Sequence, residues 1–355
     1  MKQVFLESHN LKNPFSGFGQ FNYHLIKAMA EQVPEDIKLI VNAKKPLVWK
    51  KEFGPAMDYH RYLSITRHKP FRIKKKYHLW HSLNQNTKIE PYFNLPYLLT
   101  VHDIHFVTEG TAVIQEKLKE KFRAKLARAT AIVYISEFAK EDTNRHFDVP
   151  DVPQHVIHNG NTITDTSIPE NYIPEHTTPR PFLFSIGDFT PRKNFASLVE
   201  MLAQLPEYDL ILAGSNTSNY ADTIRNRVQA LGLENRVLLP GKIDDMAKYY
   251  YLKHCTAFVF PSLREGFGIP PIEAMRFGKP VFISNNTSLP EIGGDHSFYW
   301  DHFDPEYMAT VLTEGMVKYN ANPEFYTQWY EERAKSFSWE STARLYLEVY
   351  QSILY

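Results

Sequence analysis

Apolar and polar residues follow two alternating patterns along the whole chain. Short runs rich in Val, Ile, Leu, Phe and Tyr predict buried strands, and apolar residues spaced three and four positions apart predict amphipathic helices. In the first half, the predicted strands are Gln3–Leu6, Lys38–Val41, His78–His81, Tyr97–Val101, Ala131–Ile135 and His155–Ile157, and the predicted helices are Phe21–Gln32, Ala112–Ala129 and Glu137–His146.

The second half repeats this alternation. Its predicted strands are Phe182–Ile186, Leu210–Ala213, Val237–Leu239, Ala257–Phe260 and Pro280–Ile283, with helices near Phe195–Gln204, Tyr220–Leu231, Ala247–Lys253 and Pro270–Phe277. Strands that alternate with helices indicate βαβ units and parallel sheets. The predicted fold class is therefore α/β, with two doubly wound Rossmann-like domains whose ligands bind at the carboxyl ends of the strands.

A proline cluster at residues 169–181 predicts the linker between these domains, because proline interrupts both helices and strands. We expect a first domain over residues 1–170 and a second over residues 177–337. Residues 338–355 form one further amphipathic helix at the end of the chain.

Composition narrows the class of protein. The 355 residues are 43% hydrophobic and 23% charged, which is ordinary for globular proteins. The 40 basic and 40 acidic residues cancel, which argues against a dedicated nucleic-acid binder. Cys255 is the single cysteine, and there is no long apolar run or N-terminal signal pattern. We expect a soluble, cytoplasmic protein without disulfides.

The zero net charge conceals an uneven distribution. Residues 1–176 hold 24 basic and 19 acidic side chains, whereas residues 177–355 hold 16 and 21. Between Lys38 and Lys76 there are 12 basic residues against two acids, Glu52 and Asp58. The positive charge is therefore concentrated in one stretch of the first domain.

The segment Phe260–Met275, FPSLREGFGIPPIEAM, leaves a predicted strand and enters a predicted helix. Gly266 and Gly268 allow a ligand to approach the backbone, and amides at the start of the helix can bind an anion. Glu265 and Glu273 can accept hydrogen bonds from sugar or ribose hydroxyls. The alternative is that both carboxylates are solvated and complement the helix dipole.

A second polar loop, GDFTPRKN, spans Gly187–Asn194 between a predicted strand and a predicted helix. The adjacent cations Arg192 and Lys193 suit a diphosphate, because arginine offers a planar fork and lysine a point charge. The alternative is an exposed basic loop with Asn194 as the helix N-cap.

Two further candidates lie in the first half. Gly17 and Gly19 belong to a G-x-G string without the third glycine of a dinucleotide fingerprint, so we expect a flexible loop near a phosphate or acceptor. His102 ends a predicted strand, where it can serve acid–base chemistry or orient a substrate, although a structural histidine is the alternative. No metal-ligand spacing is present in the sequence, so no metal is expected.

Together these strings resemble the retaining glycosyltransferases of family 4 (glycosyl transferases group 1), which have the GT-B fold. The resemblance is dense in the second half and patchier in the first. Asp188 stands where many members carry arginine, so Arg192 is expected to supply the missing charge.

The resemblance implies two Rossmann-like domains that face each other across a cleft, with residues 338–355 packing back on the first, acceptor domain. A nucleotide-sugar would lie in that cleft, with its diphosphate against the cations, its ribose against Glu273 and its base beside Lys242 and Ile243. The implied catalytic residues are His102, Arg192, Lys193 and Glu265, and the implied donor-binding residues are Gly17, Gly19, Lys242, Ile243, Gly266, Phe267, Gly268 and Glu273.

The implied activity is transfer of a hexose, with retention and without a metal or cofactor, from a nucleotide-diphosphate sugar to a glycan or lipid-linked acceptor of surface polysaccharide or lipopolysaccharide synthesis. The string Gly266–Pro271 is similar to mannosyltransferases, which makes GDP-mannose the first donor to test. A GT-B sugar-nucleotide epimerase and a non-catalytic nucleotide-sugar-binding module are the alternatives.

The basic stretch Arg67–Tyr77, RHKPFRIKKKY, contains no acid and interleaves its charges with Phe71, Ile73 and Tyr77. Several cations near an anionic bilayer can attach a protein reversibly to the inner face of the membrane. The alternative is a solvated surface loop. We expect membrane or acceptor contact through the five side chains Lys69, Arg72, Lys74, Lys75 and Lys76.

Overall fold

The chain folds into two units in a computed structural model that describes residues 1–14 and 16–355. Unit 1 comprises Met1–Gly160 and Phe337–Tyr355, and unit 2 comprises Asn161–Ser336. The boundary lies before the proline cluster that was expected to be the linker. Asn161 and Thr162 already belong to unit 2, because their side chains donate hydrogen bonds to Ile272 O and to the Glu273 carboxylate.

Thirteen strands are present in the described part of the chain. In chain order they are β1 (Lys2–Glu7), β2 (Ile37–Ala43), β3 (Asp58–Arg61), β4 (Leu79–Ser82), β5 (Tyr97–Val101), β6 (Ala131–Tyr134), β7 (Gln154–Val156), β8 (Phe182–Ile186), β9 (Asp209–Ala213), β10 (Val237–Gly241), β11 (Ala257–Phe260), β12 (Val281–Ser284) and β13 (Phe298–Trp300).

The α-helices follow the same chain order. They are α1 (Gly17–Ala30), α2 (Pro46–Phe53), α3 (Ala112–Leu126), α4 (Glu137–His146), α5 (Phe195–Leu202), α6 (Asn219–Ala230), α7 (Asp245–His254), α8 (Ile269–Met275), α9 (Leu289–Gly293), α10 (Pro305–Ala321), α11 (Pro323–Ser336) and α12 (Trp339–Leu354). Within residues 1–14 and 16–355, no helix has the length and apolar character needed to cross a bilayer.

Unit 1 is built on a seven-stranded parallel sheet in the order β3-β2-β1-β4-β5-β6-β7. Val4, Phe5 and Leu6 of β1 are completely buried, as expected when both faces of a parallel sheet are covered. The strand order reverses between β1 and β4, and such a switch point is where open α/β sheets bind ligands.

The final helix, α12, packs against α1 within unit 1. Its Tyr346 and Tyr350 are completely buried. The Tyr350 hydroxyl lies 2.6 Å from Nδ1 of His81, whose Nε2 lies 2.8 Å from Oγ1 of Thr100. His81, a strand-end histidine like His102, is therefore part of the core that receives α12.

Unit 2 contains a six-stranded parallel sheet in the order β10-β9-β8-β11-β12-β13. Here the strand order reverses between β8 and β11. The predicted class of two Rossmann-like α/β domains is confirmed by the two sheets.

Some helices and strands were predicted with the wrong ends, and others were not predicted at all. Helix α1 begins at Gly17, four residues before the predicted start, because Ser16 caps it by accepting a hydrogen bond from Gly19 N. Strand β3 was missed because Asp58–Arg61 is a short polar edge strand without an apolar run. The pattern also missed α2, α9, α10, α11 and β13.

Candidate active site

The chemically informative loops of unit 2 leave the two strands at its switch point. Strand β8 ends at Ile186 and leads into Gly187–Lys193, and β11 ends at Phe260 and leads into Pro261–Gly268. Because β8 and β11 are parallel neighbours, both loops emerge at the same edge of the sheet. Two sequence motifs separated by about 70 residues along the chain are brought together in this way.

Glycine is required at two positions around these loops. Gly214, after β9, has φ +136°, and a Cβ atom there would lie 1.9 Å from Gly187 O. Gly268 has φ +131°, and its Cβ atom would lie 2.9 Å from a methyl carbon of Leu289. Side chains at these positions would strain the backbone and push the loops apart.

One carboxylate holds both predicted cations. Lys193 Nζ lies 2.6 Å from Oε1 of Glu265, and Arg192 Nη1 lies 3.1 Å from Oε2. Arg192 also donates to Arg264 O at 2.6 Å. Lys193 and Glu265 are mostly buried and Arg192 is partly exposed. The alternatives of an exposed basic loop and a solvated Glu265 are therefore wrong.

The charges in this cluster do not cancel. Burial alone raises the pKa of Glu265, but the charges of Lys193 and Arg192 outweigh it and lower the pKa below its usual range. The pKa of Lys193 is lowered by burial and by the charge of Arg192, against the opposing effect of Glu265. The three side chains together carry one net positive charge, which the nearby carboxylate of Asp188 partly offsets. Two cations held at one sheet edge suit an anionic ligand.

The loop after β11 is fixed by hydroxyl groups. Ser262 Oγ donates to Oε1 of Glu265 at 2.6 Å, and Glu265 N donates to Oγ1 of Thr287 at 3.0 Å. Ser288 Oγ donates to the carbonyl of Glu265 at 3.0 Å and to that of Phe267 at 2.6 Å. Glu265 is thereby held at its backbone as well as at its carboxylate.

Glu273 lies in the seven-residue helix α8 and is buried beside a third cation. Lys248 Nζ, from α7, lies 2.9 Å from Oε1 of Glu273, which also accepts a hydrogen bond from Thr162 Oγ1. Burial alone lowers the pKa of Lys248, but the Glu273 charge outweighs it and raises that pKa. Solvation of Glu273, the simpler alternative, is wrong as well.

The remaining predicted donor-binding residues of unit 2 lie at the same edge of its sheet. Lys242 and Ile243 occupy the turn between β10 and α7, with the Lys242 side chain exposed. Gly266, Phe267 and Gly268 connect Glu265 to the start of α8, and the Phe267 side chain is buried.

In unit 1, His102 follows β5 and is buried among aromatic rings. Its Nε2 lies 2.9 Å from Leu83 O, and its backbone N donates to Oε1 of Gln85 at 3.1 Å. The rings of Phe18 and Phe21 contact it edge-on, with centroids 4.9 and 4.5 Å away. Burial lowers the pKa of His102 to about 4, so the ring is neutral at pH 7.

The expected loop around Gly17 and Gly19 is instead the first turn of α1. Gly19 is required there for packing, because its Cβ atom would lie 1.9 Å from Asn13 O. The helical turn places Phe18 against His102. The structure therefore brings the glycine string and His102 together within unit 1, although not as a flexible loop.

The basic stretch 67–77 is only partly as expected. Lys69, Lys74, Lys75 and Lys76 are exposed, and Arg72 is half-buried. Ile73 and Tyr77, which the sequence interleaves with the charges, are buried in the core of unit 1. Tyr77 packs on Phe5 with ring centroids 4.8 Å apart. Of the three interleaved apolar side chains, only Phe71 is exposed.

Lys248 and Thr162 were missed by sequence reasoning. One signal was available for Lys248, because a lysine in the first turns of a helix opposes the helix dipole and calls for a partner. Thr162 follows the irregular string Asn159–Asn161, which carries no signal. Within residues 1–14 and 16–355, no group of three or more His, Cys, Asp or Glu side chains is placed to hold a metal ion.

Part of the chain matches a known protein family. The sequence model of the family described as glycosyl transferases group 1 matches residues 170–335, which lie within unit 2. The protein is a glycosyltransferase, and the match to this family lies in unit 2. Its two Rossmann-like sheets are those of the GT-B fold.

Two relatives and one solved structure illustrate the similarity. O-antigen chain mannosyltransferase B of Escherichia coli is 27% identical over 391 aligned residues, covering 99% of this chain and 100% of that protein. Serotype-specific mannosyltransferase WbdA of Escherichia coli is 29% identical over 247 residues, covering 65% of this chain but only 30% of that protein. Anabaena Alr3699/HepE in complex with UDP and glucose has a TM-score of 0.71 at 16% identity, covering 99% of this chain and 100% of its own, which is a similarity of fold.

Proposed function

We propose that this glycosyltransferase is a retaining mannosyltransferase that moves mannose from a nucleotide-diphosphate donor, first of all GDP-mannose, to a glycan or lipid-linked acceptor of O-antigen-type polysaccharide. The observation that carries the proposal is the cluster of Arg192, Lys193 and Glu265 at the switch point of unit 2. The mannosyl group and the polysaccharide are taken from the names of the two relatives.

The cluster suits departure of a nucleoside diphosphate. Negative charge develops on the leaving phosphate as the bond to the sugar carbon breaks, and positioned cations stabilise that charge most effectively where water is excluded. Arg192 and Lys193 are the candidate donors of this stabilisation. Glu265 holds both cations in place and is also the candidate contact of the transferred sugar.

The other roles of the donor site are those that the family resemblance implies. Glu273 is the candidate partner of the ribose hydroxyls, with Lys248 and Thr162 holding its Oε1. The backbone of Lys242 and Ile243 is the candidate boundary of the base, and Gly17, Gly19, Gly266, Phe267 and Gly268 are candidate donor contacts. His102 is the candidate in unit 1 for contact with the transferred sugar.

A donor screen tests the proposal. The purified protein is incubated with GDP-mannose, UDP-glucose, UDP-galactose or UDP-N-acetylglucosamine and a panel of mannose-terminated oligosaccharides, and products are read by mass and by NMR of the new anomeric centre. We expect GDP-mannose to be used and the α configuration to be retained. A β-linked product, or preference for another donor, contradicts the proposal.

The same assay separates the alternatives. An epimerase converts the nucleotide-sugar without an acceptor, and a binding module binds the nucleotide without turnover. The relatives' names favour transfer over both. We also expect activity to survive EDTA, because the proposed stabilisation relies on Arg192 and Lys193 rather than on a metal.

We further propose that the basic stretch 67–77 contacts an anionic membrane or acceptor. Lys69, Lys74, Lys75 and Lys76 are exposed beside Phe71, whose exposed fraction is 55%. An exposed aromatic ring within a cationic surface suits the interface of an anionic bilayer.

Vesicle co-sedimentation tests this contact. Replacing Lys69, Arg72, Lys74, Lys75 and Lys76 by Ser is expected to abolish binding to vesicles containing phosphatidylglycerol at low salt. The matched control removes the same charge from five exposed lysines elsewhere, namely Lys117, Lys121, Lys253, Lys318 and Lys335. Equal binding by both variants contradicts the proposal.

A further inference from the structure

A completely buried carboxylate ends the first strand of unit 1. Glu7 is the last residue of β1, next to the point where the strand order reverses. Its exposed fraction is 0%. A buried carboxylate is costly unless it is paired. Its two oxygens lie 2.9 and 3.0 Å from Nδ1 of His9, which supplies that pairing.

The pairing determines what His9 presents to solvent. A carboxylate only accepts hydrogen bonds, so Nδ1 carries the hydrogen and Nε2 of the neutral ring is an acceptor. Tyr62 stacks on the imidazole, with ring centroids 5.3 Å apart and planes 15° apart, which holds the ring orientation. The His9 side chain is 15% exposed. Its Nε2 has no hydrogen-bond partner among residues 1–14 and 16–355.

Polar groups on the next two strands lie beside this pair. Glu7 follows the paired residues Leu6 and Val41, so it lies level with Asn42 on β2, which in turn pairs with His60 on β3. The Asn42 Oδ1 atom lies 3.1 Å from Nδ1 of His60. Its Nδ2 atom is buried and has no partner in the described part of the chain. The Nδ2 atom of Asn42 is enclosed by protein and not open to a ligand, so the group that these strand ends offer is the partly exposed His9.

We propose that His9 forms a subsite for a sugar hydroxyl of the acceptor, with its Nε2 atom accepting the hydroxyl hydrogen. Glu7 is a positioning residue that fixes the tautomer and direction of the imidazole. A carboxylate plays the same part for histidine in hydrolytic triads. The inference rests on the proposed transfer to a glycan, because a hydroxyl nucleophile must be oriented before it can react.

Two isosteric substitutions distinguish this role from a purely structural pairing. His9→Asn keeps a hydrogen-bond donor near the position of Nδ1 for Glu7 but has no atom near Nε2. His9→Gln reaches the position of Nε2 with an amide oxygen but pairs poorly with Glu7. A subsite needs the atom at Nε2, whereas a structural pair needs the atom at Nδ1.

The kinetic test uses the acceptor that supports transfer in the donor screen. We expect His9→Asn to raise the acceptor KM about tenfold, the equivalent of one lost hydrogen bond, and to raise it far more than the donor KM. His9→Gln should stay within about threefold of wild type in acceptor KM, even if its melting temperature is lower. The reverse order, with His9→Asn like wild type and His9→Gln impaired, overturns the proposal.

The matched control is another histidine–carboxylate pair of unit 1. His146 Nδ1 lies 3.3 Å from Asp142 on α4. It ends the helix that follows β6, so it lies towards the opposite edge of the sheet from the strand ends that carry Glu7. His146→Asn should leave both KM values unchanged.

A binding measurement separates this inference from the proposed function. Saturation-transfer NMR with α-mannobiose as the probe needs no turnover, and it is compared among wild type, His9→Asn and His9→Gln. Loss of the signal in His9→Asn alone supports the subsite, even for a protein that fails to use GDP-mannose. Equal signals in all three proteins overturn it, whatever the donor proves to be. If instead His9 binds the donor sugar, the donor KM rises and the acceptor KM does not.

Discussion

The switch points of the two units carry different side chains. In unit 2, the ends of β8 and β11 carry three charged side chains, with Arg192 and Lys193 sharing the carboxylate of Glu265. In unit 1, β1 ends at the buried carboxylate of Glu7, which is paired with His9, and β5 leads to His102, which is buried and neutral with its pKa lowered to about 4. Each unit repeats the same parallel-sheet order. Unit 1 also has two cations on one carboxylate, Lys125 and Arg128 with Glu90, but these cations lie at the end of α3 rather than in a loop that leaves a strand of the switch point.

The net charge of the two halves of the sequence would place an anion site in the first half instead. Residues 1–176 have an excess of basic side chains and residues 177–355 an excess of acidic ones. The cations of unit 1 lie largely on the surface of the stretch 38–76, whereas Lys193 of unit 2 is buried. Burial of a cation does not locate an anion site by itself, because Lys125 of unit 1 is buried as well and is paired with Glu90. Arg192 and Lys193 are distinguished by their place in a loop that leaves a strand of the switch point.

The largest expected effect concerns how unit 1 is completed. Deleting residues 339–355 removes the buried Tyr346 and Tyr350 and uncovers His81. Loss of one large buried aromatic costs about 3–5 kcal/mol, so loss of several exceeds the stability of an ordinary domain. Hydrogen exchange followed by peptide mass should show loss of protection in unit 1 with unit 2 retained.

The control truncation removes only Tyr355, which is 73% exposed, and should leave exchange unchanged. Equal protection of unit 1 in the two truncated proteins contradicts the prediction that α12 completes its fold.

The second effect tests the charged switch point. Lys193→Ala and Arg192→Ala should each lower turnover by about 10²–10³, the usual cost of removing one preorganised donor to a developing anion. The larger loss is expected for Lys193, because it is the more buried of the two cations. Turnover and melting temperature are measured together, with the exposed Lys253→Ala on α7 as the control. Near-normal turnover in both site variants contradicts the assignment.

Sequence motifs predicted the Arg192–Lys193–Glu265 cluster of unit 2 but not the Glu7–His9 pair of unit 1. Arg192, Lys193 and Glu265 were found because each lies in a short string after an apolar strand, and such strings keep their chemistry when the sheet assembles. The pairing of Glu7 with His9 escaped notice because E-S-H within a strand end has no characteristic spacing. Only the burial of Glu7 gives that pair its significance.

Element prediction failed where tertiary contacts decide the structure. Tyr77 was predicted to lie at a membrane surface because lysines surround it in the sequence. In the structure its ring packs against Phe5 and Trp80 in the core. Likewise, Gly17–Gly19 was predicted to be a flexible loop because the string lacks the third glycine of a dinucleotide fingerprint, although Ser16 caps a helix that begins there.

The third effect is a difference in acid stability between the two units. The pKa values of His81 and His102 are lowered by burial to about 3 and about 4, against an ordinary value of 6.5. Below pH 6.5 these histidines are protonated in the unfolded chain but stay neutral in the folded protein, so the free energy of unfolding falls with pH. His102 alone accounts for a loss of about 3 kcal/mol by pH 4.

Unit 2 should respond later in this titration. The lowered pKa of Glu265 means that its contribution is present above pH 4.5 and is lost only as pH falls through that lowered value. Urea titrations at pH 7.5, 6.0 and 5.0, with limited proteolysis and mass assignment of fragments, should show unit 1 destabilised and unit 2 little changed. Earlier loss of unit 2 contradicts this order.

The smallest effect distinguishes the two carboxylates of unit 2. A ribose contact is made in the ground state and the transition state alike, so Glu273→Gln should raise the donor KM about tenfold with little change in kcat. Glu265→Gln should lower kcat instead, because Glu265 holds the cations that meet the developing charge. Lys248→Met provides the matched control, since it removes the partner of Glu273 but leaves the carboxylate in place.

Calorimetric titration of GDP should then show weaker binding by Glu273→Gln than by Lys248→Met. An unchanged Kd for GDP in the Glu273→Gln protein contradicts the ribose role, because loss of a charged acceptor cannot leave a genuine hydroxyl contact unaffected.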